Sequence, residues 1–346
     1  MQEKTYLDLL CKLKKNNALL KAQIALTYRC NLSCLHCFEN KDTSNELSLI
    51  EIKEILTQLK ALGAMAVGFT GGEVFLRKDL LDILEFACRL GFAVTILTNG
   101  TLITDSLARR IIEFNPVNIR ISLYGAKEDT HDSITRVRGS FKKTIKSIGS
   151  LEANNVEFAI SFLVFRQNFD ELRELKEIAK TRAWPIKPDY YITPRWDGFR
   201  GPLKYRVTKR QIRERVRELK LEEQVSRVSR LNKYFHFLSL GRKDCYISAQ
   251  AEVFAHCNLR IKLGNLRENS LEDIWLNSKA IKVLREIDFK DLKCSECPLS
   301  AYCCWEPGLA WLEQGDFLAS PRWLCKLTKS GLRRDGKLLE ESLVDA

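Results

Sequence analysis

The sequence predicts an α/β fold: six strand–helix repeats arranged as an incomplete barrel or an open parallel sheet, followed by a smaller cysteine-rich unit. Three observations carry this expectation. Apolar strand-like stretches alternate with amphipathic helical ones from residue 22 to about 193. Polar or glycine-rich motifs stand directly after four of these strands, so they share one rim. From about residue 241 the patterns weaken and cysteines gather.

The elements follow in order. "AQIALTY" (22–28) reads as a strand ending at a cysteine loop. "ELSLIEIKEILTQLKALG" (46–63) reads as a helix with Gly63 near its end. "AMAVGFT" (64–70) is the second strand and 78–90 the next helix. "FAVTILT" (92–98), a helix over 104–114, "VNIRISL" (117–123), a helix over 141–154, "VEFAISFLV" (156–164), a helix over 168–182 and "PDYYIT" (188–193) complete the series. Short connectors between such repeats imply parallel strands with helices outside, and ligands at the strands' C-terminal ends. The expected divisions are a helical extension over 1–21, the repeats over 22–195, a basic helical connector over 196–240 and a cysteine-rich unit over 241–346.

Composition narrows the function classes. The 346 residues are 45% hydrophobic and 29% charged, ordinary for a soluble globular protein. The longest apolar run, "FAISFLVF" (158–165), is too short to span a bilayer, so no membrane role is expected. "MQEKTYLDLLCKLKKNN" has early acids and no long apolar core, so no signal peptide is expected and the thiols belong in a reducing cytoplasm. Twelve cysteines there point to metal ligation rather than disulfides; Cys11 and Cys88, each alone in a helical pattern, read as small buried hydrophobes. Net charge is +12, and 201–235 alone holds 11 Lys/Arg against 4 Glu, a net +7. That segment reads first as a solvated amphipathic helix, with Ile212, Val216 and Leu219 at helical spacing, and second as a dock for an acidic partner. No nucleic-acid motif accompanies it, so no nucleic-acid partner is expected.

The rim motifs are Cys30, Cys34 and Cys37 in "CNLSCLHC", "TGGE" (70–73), "TNG" (98–100) and Ser122 in "ISLYG". Three thiolates are one ligand short of a closed tetrahedral site, which raises the question of what takes the fourth position. Gly71 and Gly72 allow close approach of the backbone to a ligand. Singly, each has a plainer reading: a turn at the glycines, a strand-end hydroxyl at Ser122, a zinc site completed by His36 at the cysteines. Four in register favour a site.

"CNLSCLHC" resembles the CxxxCxxC loop of radical S-adenosylmethionine (SAM) enzymes, and the resemblance covers about 22–193. It implies a partial (β/α)6 TIM-like barrel in which Cys30, Cys34 and Cys37 hold three irons of a [4Fe–4S] cluster and SAM chelates the fourth. Electron transfer from the cluster then cleaves SAM to a 5′-deoxyadenosyl radical that abstracts a substrate hydrogen. By the same resemblance, Gly71, Gly72 and Glu73 meet the SAM amino group, Ser122 its ribose or carboxylate, and Thr98 and Asn99 line the rim. Arg136 and Arg138 in "HDSITRVRGSF" are the candidates for its carboxylate, with Thr135 at the usual arginine position. His36 takes the aromatic position before the third cysteine.

The C-terminal cysteines are Cys245, Cys257, Cys294, Cys297, Cys303, Cys304 and Cys325. "CSECPLSAYC" and "GNLRENSLEDIW" resemble the SPASM extension, which carries auxiliary iron–sulfur clusters; on spacing alone, CxxC with two further cysteines also suits a structural zinc. The resemblance assigns Cys294, Cys297, Cys303 and Cys325 to one complete auxiliary [4Fe–4S] cluster, and Cys245 and Cys257 to a second. For the second, Glu306 and Pro307 stand where a cysteine is expected, leaving Cys304, Glu306 or His256 as substitutes, and the glycine usual before the second ligand is absent from "AQAEVFAHC". SPASM relatives commonly modify ribosomally made peptides by crosslinking, epimerisation or decarboxylation. The resemblance therefore implies a peptide substrate and an external electron donor such as flavodoxin or ferredoxin; with about twenty residues before the first strand, a leader peptide is expected to need either a separate leader-binding protein or the basic segment. The alternatives are a maturase or decarboxylase acting on a protein residue or a tetrapyrrole, and a non-enzymatic cysteine-rich regulatory module.

Overall fold

A computed structural model describes residues 17–39, 42–215, 240–297, 299, 303, 305–331, 333–334 and 337–338. Six strands, β1 (Lys21–Thr27), β2 (Ala66–Gly71), β3 (Ala93–Thr98), β4 (Asn118–Leu123), β5 (Phe158–Leu163) and β6 (Ile186–Asp189), pair in chain order, and every pair is parallel. Between them run α1 (Leu49–Ala61), α2 (Leu80–Arg89), α3 (Asp105–Ile112), α4 (Glu128–Thr135), α5 (Ser140–Ala153) and α6 (Glu171–Arg182).

Strand alternation explains the layering. Val67 and Phe69, Val94 and Ile96, Ile119 and Ile121, and Ile160 and Phe162 are buried in one core with Ile52, Leu56, Ile83, Leu84, Leu172 and Leu175 from the helices. The intervening residues, among them Gly68, Thr95, Ser122 and Ser161, take the opposite, less buried face.

The C-terminal region begins inside the same sheet. β7 (Asp244–Ile247) pairs parallel with β1, in the register Lys21↔Asp244 to Ile24↔Ile247. β8 (Glu252–Phe254) and β9 (Lys262–Asn265) continue antiparallel, giving the order β6-β5-β4-β3-β2-β1-β7-β8-β9. β1 is thereby covered rather than left as a free edge. The buried Arg242 fastens this junction: its guanidinium donates to the carbonyls of Leu284, Arg285 and Ile287 at 3.2, 2.6 and 2.9 Å. Those carbonyls end α9 (Lys279–Glu286), where a helix leaves its acceptors unpaired. α7 (Lys209–Arg215), α8 (Leu271–Asn277), α10 (Pro307–Gln314) and α11 (Arg322–Gly331) complete the helices named here.

Some expectations shift. The sixth strand occupies 186–189 rather than 188–193, and Pro188 sits on the sheet's edge strand, where its missing N–H leaves no ladder bond unmade. α4 falls in a polar stretch without an apolar stripe, so periodicity did not predict it. Strand β1 already includes Lys21, and the remainder of the 1–21 extension up to residue 16, with Cys11, lies outside the described residues. So does 216–239 of the basic connector; its described part, 196–215, includes α7, with Ile212 buried. No described helix is long and apolar enough to cross a membrane.

Candidate functional site

The cysteine loop leaves β1 at Thr27 and is held from outside by α4. The N–H groups of Ser33 and Leu35 donate to the carbonyls of Thr135 and Ile134, both at 3.0 Å. The helix end thus gains partners for its last acceptors, and the loop gains a fixed position that does not depend on its thiols. Cys34 and Cys37 are half-buried and Cys30 exposed. A tight turn closes from Cys37 N–H to the Cys34 carbonyl at 3.1 Å. Cys30 Sγ receives the Leu32 N–H at 3.4 Å and Asn99 Nδ2 at 3.9 Å. Burial raises the Cys30 thiol, and the neighbouring Glu73 and Cys37 push the same way. The Tyr124 hydroxyl is raised by burial and then by the negative charge of Cys34, Cys37 and Cys30. His36 lies edge-on to Tyr124 and Phe165, with ring centroids at 4.9 and 5.1 Å. Burial pushes its pKa down to about 4, so it serves as a neutral packing ring.

The rim packs against this loop. Gly72 N–H donates to the Thr27 carbonyl at 2.7 Å and Glu73 N–H to the Arg29 carbonyl at 2.8 Å. A Cβ on Gly71, whose φ is 137°, would collide with Thr27, and one on Gly72 with the carbonyls of Tyr28 and Arg29. The close approach these glycines permit is therefore to the protein's own cysteine loop. The Glu73 carboxylate is buried and accepts from Thr98 Oγ1 at 2.7 Å, Asn99 N–H at 2.7 Å and Phe75 N–H at 3.2 Å. Burial raises its pKa against those three donors. Asn99 Nδ2 donates to Asn31 Oδ1 at 2.9 Å, and Asn31 Nδ2 to Thr101 Oγ1 at 2.8 Å. Asn31, Thr101 and Tyr124 went unnoticed in the sequence, although all three lie inside or beside the quoted motifs.

The structure thus brings together Cys30, Cys34, Cys37, Gly71, Gly72, Glu73, Thr98 and Asn99. Ser122 joins through a hydrogen bond with Tyr124 and lies in register with Ser161. Arg136 and Arg138 are exposed; Arg136 is the left-handed cap of α4, with φ 60°, and directly follows Thr135, whose carbonyl holds Ser33 of the cysteine loop. Thr135 is buried, with its hydroxyl 2.7 Å from Ser140 Oγ.

The C-terminal cysteines divide in two. Cys297 N–H donates to the Cys294 carbonyl at 3.2 Å. The Cys325 thiol on α11 is raised by burial and by the charges of Cys294 and Cys297, so these three share one neighbourhood; Cys303, like Cys294, packs on the core. Spacing assigns that set to an iron–sulfur cluster, although among the described residues no group of three or more His, Cys, Asp or Glu is arranged to hold a metal ion. Cys245 and Cys257 do not fit a shared one. Cys245 faces the helix-side core with Ile247 and Val253, whereas Cys257 packs with Tyr246 and Phe254 on the other face. Glu306, expected as a substitute ligand, caps α10 through Gly308 and Leu309 N–H, both at 2.9 Å, and sits 3.1 Å from His256 Nδ1. His256 in turn lies 3.7 Å from Cys257 Sγ; burial disfavours its charged form, but Cys257 and Glu306 together raise its pKa well above the usual range. Cys304 lies outside the described residues. Iron analysis should therefore find about eight irons per chain, two clusters of four. Cys294→Ala should remove about four of them and Cys257→Ala none. About twelve irons in the unaltered protein, or loss on Cys257→Ala, would contradict this placement.

Comparison with known proteins agrees with this geometry. Residues 24–179 match the radical SAM superfamily model, and 239–298 match SPASM, an iron–sulfur cluster-binding domain. AdoMet-dependent heme synthase of Methanosarcina barkeri is 24% identical over 322 residues, covering 85% of this chain and 92% of that protein. Mycofactocin maturase MftC of Mycolicibacterium smegmatis is 28% identical over 290 residues, 75% of this chain and 71% of that one. The crystal structure of Streptococcus suis SuiB bound to precursor peptide SuiA superposes with a TM-score of 0.65 at 20% identity, over 86% of this chain and 74% of that one. Residues 24–179 thus carry a radical SAM domain and 239–298 a SPASM region: the protein is an enzyme whose cofactors are SAM, a catalytic [4Fe–4S] cluster and auxiliary iron–sulfur ligation.

Proposed function

We propose that the enzyme abstracts a hydrogen from a ribosomally made peptide and so modifies it after translation. The observation that carries this reading is the meeting of the catalytic loop and the C-terminal strands at one seam. Trp196, just after β6, stacks edge-on to Phe38 at 5.2 Å and to Tyr246 of β7 at 5.9 Å. A substrate entering there touches the residue after Cys37 and the SPASM strands at once. Similarity to mycofactocin maturase and the fold shared with SuiB, solved with a precursor peptide, support a peptide substrate. An external donor such as flavodoxin or ferredoxin supplies the electron, and a separate protein presents the leader. The second reading, decarboxylation of a tetrapyrrole, is favoured by the similarity to heme synthase over 85% of the chain.

The test is anaerobic. Reconstituted enzyme, dithionite and SAM are incubated with small peptides encoded beside the gene, and separately with an iron porphyrin bearing propionate groups. Mass spectrometry should show a peptide losing hydrogen or carbon dioxide, or gaining solvent deuterium, with 5′-deoxyadenosine formed alongside. Unchanged peptides with a decarboxylated porphyrin would overturn the peptide reading in favour of the second.

A further inference from the structure

The loop after β6 turns one aromatic ring inward and another outward. Trp196 packs on Phe38, the residue after Cys37, and its N–H reaches the Phe38 carbonyl at 3.4 Å. Phe199, three residues on, stays 59% exposed. A closed turn fixes it there: Arg195 N–H donates to the Phe199 carbonyl at 3.0 Å, and Phe199 N–H donates to Asp197 Oδ1 at 2.9 Å. The Arg195 guanidinium lies 5.9 Å from its ring centroid. A large aromatic ring held outward by its own backbone suits contact with another molecule.

Cations surround this ring. Arg200 reaches the Glu313 carbonyl on α10 at 3.5 Å, and the Glu313 carboxylate accepts the Trp323 N–H of α11 at 3.3 Å, so the loop and the start of α11 meet at one residue. Arg322 and Lys326, four residues apart, share an exposed face of α11, a helix with no acidic residue. α7 packs on α11 and adds the exposed Lys209. The loop and α10 carry two carboxylates, and both are occupied: Asp197 by Arg195 at 2.9 Å, Glu313 by Arg206 at 2.6 Å. Among the described residues, Arg200, Lys209, Arg322 and Lys326 have no carboxylate within ion-pair reach. Uncompensated positive charge around a fixed ring concentrates an acidic partner and speeds its arrival. Two partners come into question, the peptide substrate and the electron donor. Position favours the donor, because the same loop presses on the residue after Cys37 and its outer side lies one loop's thickness from the catalytic thiols. Cations spread over a loop and two helices also answer the face of a folded protein better than a single extended strand. Electron-carrier encounters need only a small contact, roughly 1,200 Å² or less.

We infer that Phe199, Arg200, Lys209, Arg322 and Lys326 form the docking face for the electron donor, a small acidic one-electron carrier protein. This rests on the external donor named under the proposed function and adds where that donor binds. One electron leaves the reduced carrier and reduces the catalytic cluster, with no bond made or broken at the face.

The test uses the reconstituted enzyme and an acidic flavodoxin: calorimetric binding of its oxidised form, and SAM cleavage driven by its hydroquinone. Arg200→Glu combined with Lys326→Glu should weaken binding by about tenfold or more and flatten its salt dependence. Phe199→Ala should also weaken binding but leave the salt dependence unchanged. Formation of 5′-deoxyadenosine from the hydroquinone should fall in step, while formation driven by dithionite, a small molecule that needs no docking face, should hold. Lys143→Glu combined with Lys146→Glu, on an exposed basic stretch of α5, is the control and should change neither. Thermal melting and iron content show that the variants are folded. No measurable flavodoxin binding, binding indifferent to salt, equal weakening by the α5 control, or loss of dithionite-driven cleavage in the Arg200/Lys326 variant would each overturn the inference. So would reversals that weaken an alternating Glu-Ala peptide but not flavodoxin, which would make the face a dock for substrate. Docking as described in an enzyme that modifies no peptide would leave the face standing and remove the proposed function.

Discussion

Alanine at Cys30, Cys34 and Cys37 together is expected to bring 5′-deoxyadenosine formation from SAM below detection and to remove about four irons per chain. The iron held by Cys294, Cys297, Cys303 and Cys325 should remain. The prediction separates chemistry from folding, because the loop is positioned by backbone bonds. Ser33 and Leu35 are held by the carbonyls of α4, and Asn31 by Thr101 and Asn99. Replacing three thiols that are exposed or half-buried leaves those contacts in place. Chromatography of the SAM products and a colorimetric iron assay check it. A normal rate of 5′-deoxyadenosine formation would show that another site cleaves SAM; loss of all iron would show that the two cysteine sets are not independent.

Gly72→Val should destabilise the fold by about 3 kcal/mol or more, as overpacking against backbone does when neither side can yield. From sequence alone, a branched side chain there would crowd SAM and spare the iron. The structure puts the carbonyls of Tyr28 and Arg29 where the new Cβ would go. It also ties Gly72 and Glu73 to β1 and its loop through two backbone bonds of 2.7 and 2.8 Å. The variant should therefore lose melting temperature, iron and SAM binding together. Gly149→Ala is the control: nothing stands within 4 Å of its Cβ, so stability should hold or rise. A Gly72→Val protein with normal melting and iron but weak SAM binding would return the glycine's role to the ligand.

The parts legible in the sequence were those with strong local signals. Parallel strands buried on one face by helices read as apolar runs, and amphipathic helices between them fixed the repeat. The cysteine spacing, "TGGE" and "TNG" located the rim because each follows a strand. Local signals fail for long-range pairing, and "DCYI" is too short to announce that β7 pairs with β1. Spacing also says nothing about packing: Cys245 and Cys257 looked like one site, but Cys245 lies in the main core and Cys257, in the loop after β8, packs on the separate cluster of Tyr246 and Phe254. Arg136, the carboxylate candidate, forms the left-handed cap of a helix that polar composition concealed. Arg200 and Arg322 were invisible as neighbours because only the folded chain brings their elements together at Glu313.

The loop of Cys30, Cys34 and Cys37 is expected to cleave SAM reductively. The most direct measurement is 5′-deoxyadenosine released by the reconstituted, dithionite-reduced protein incubated with SAM under anaerobic conditions. Release should depend on the reductant and disappear in the triple alanine variant. Intact SAM in the presence of a fully iron-loaded, reduced protein would contradict it.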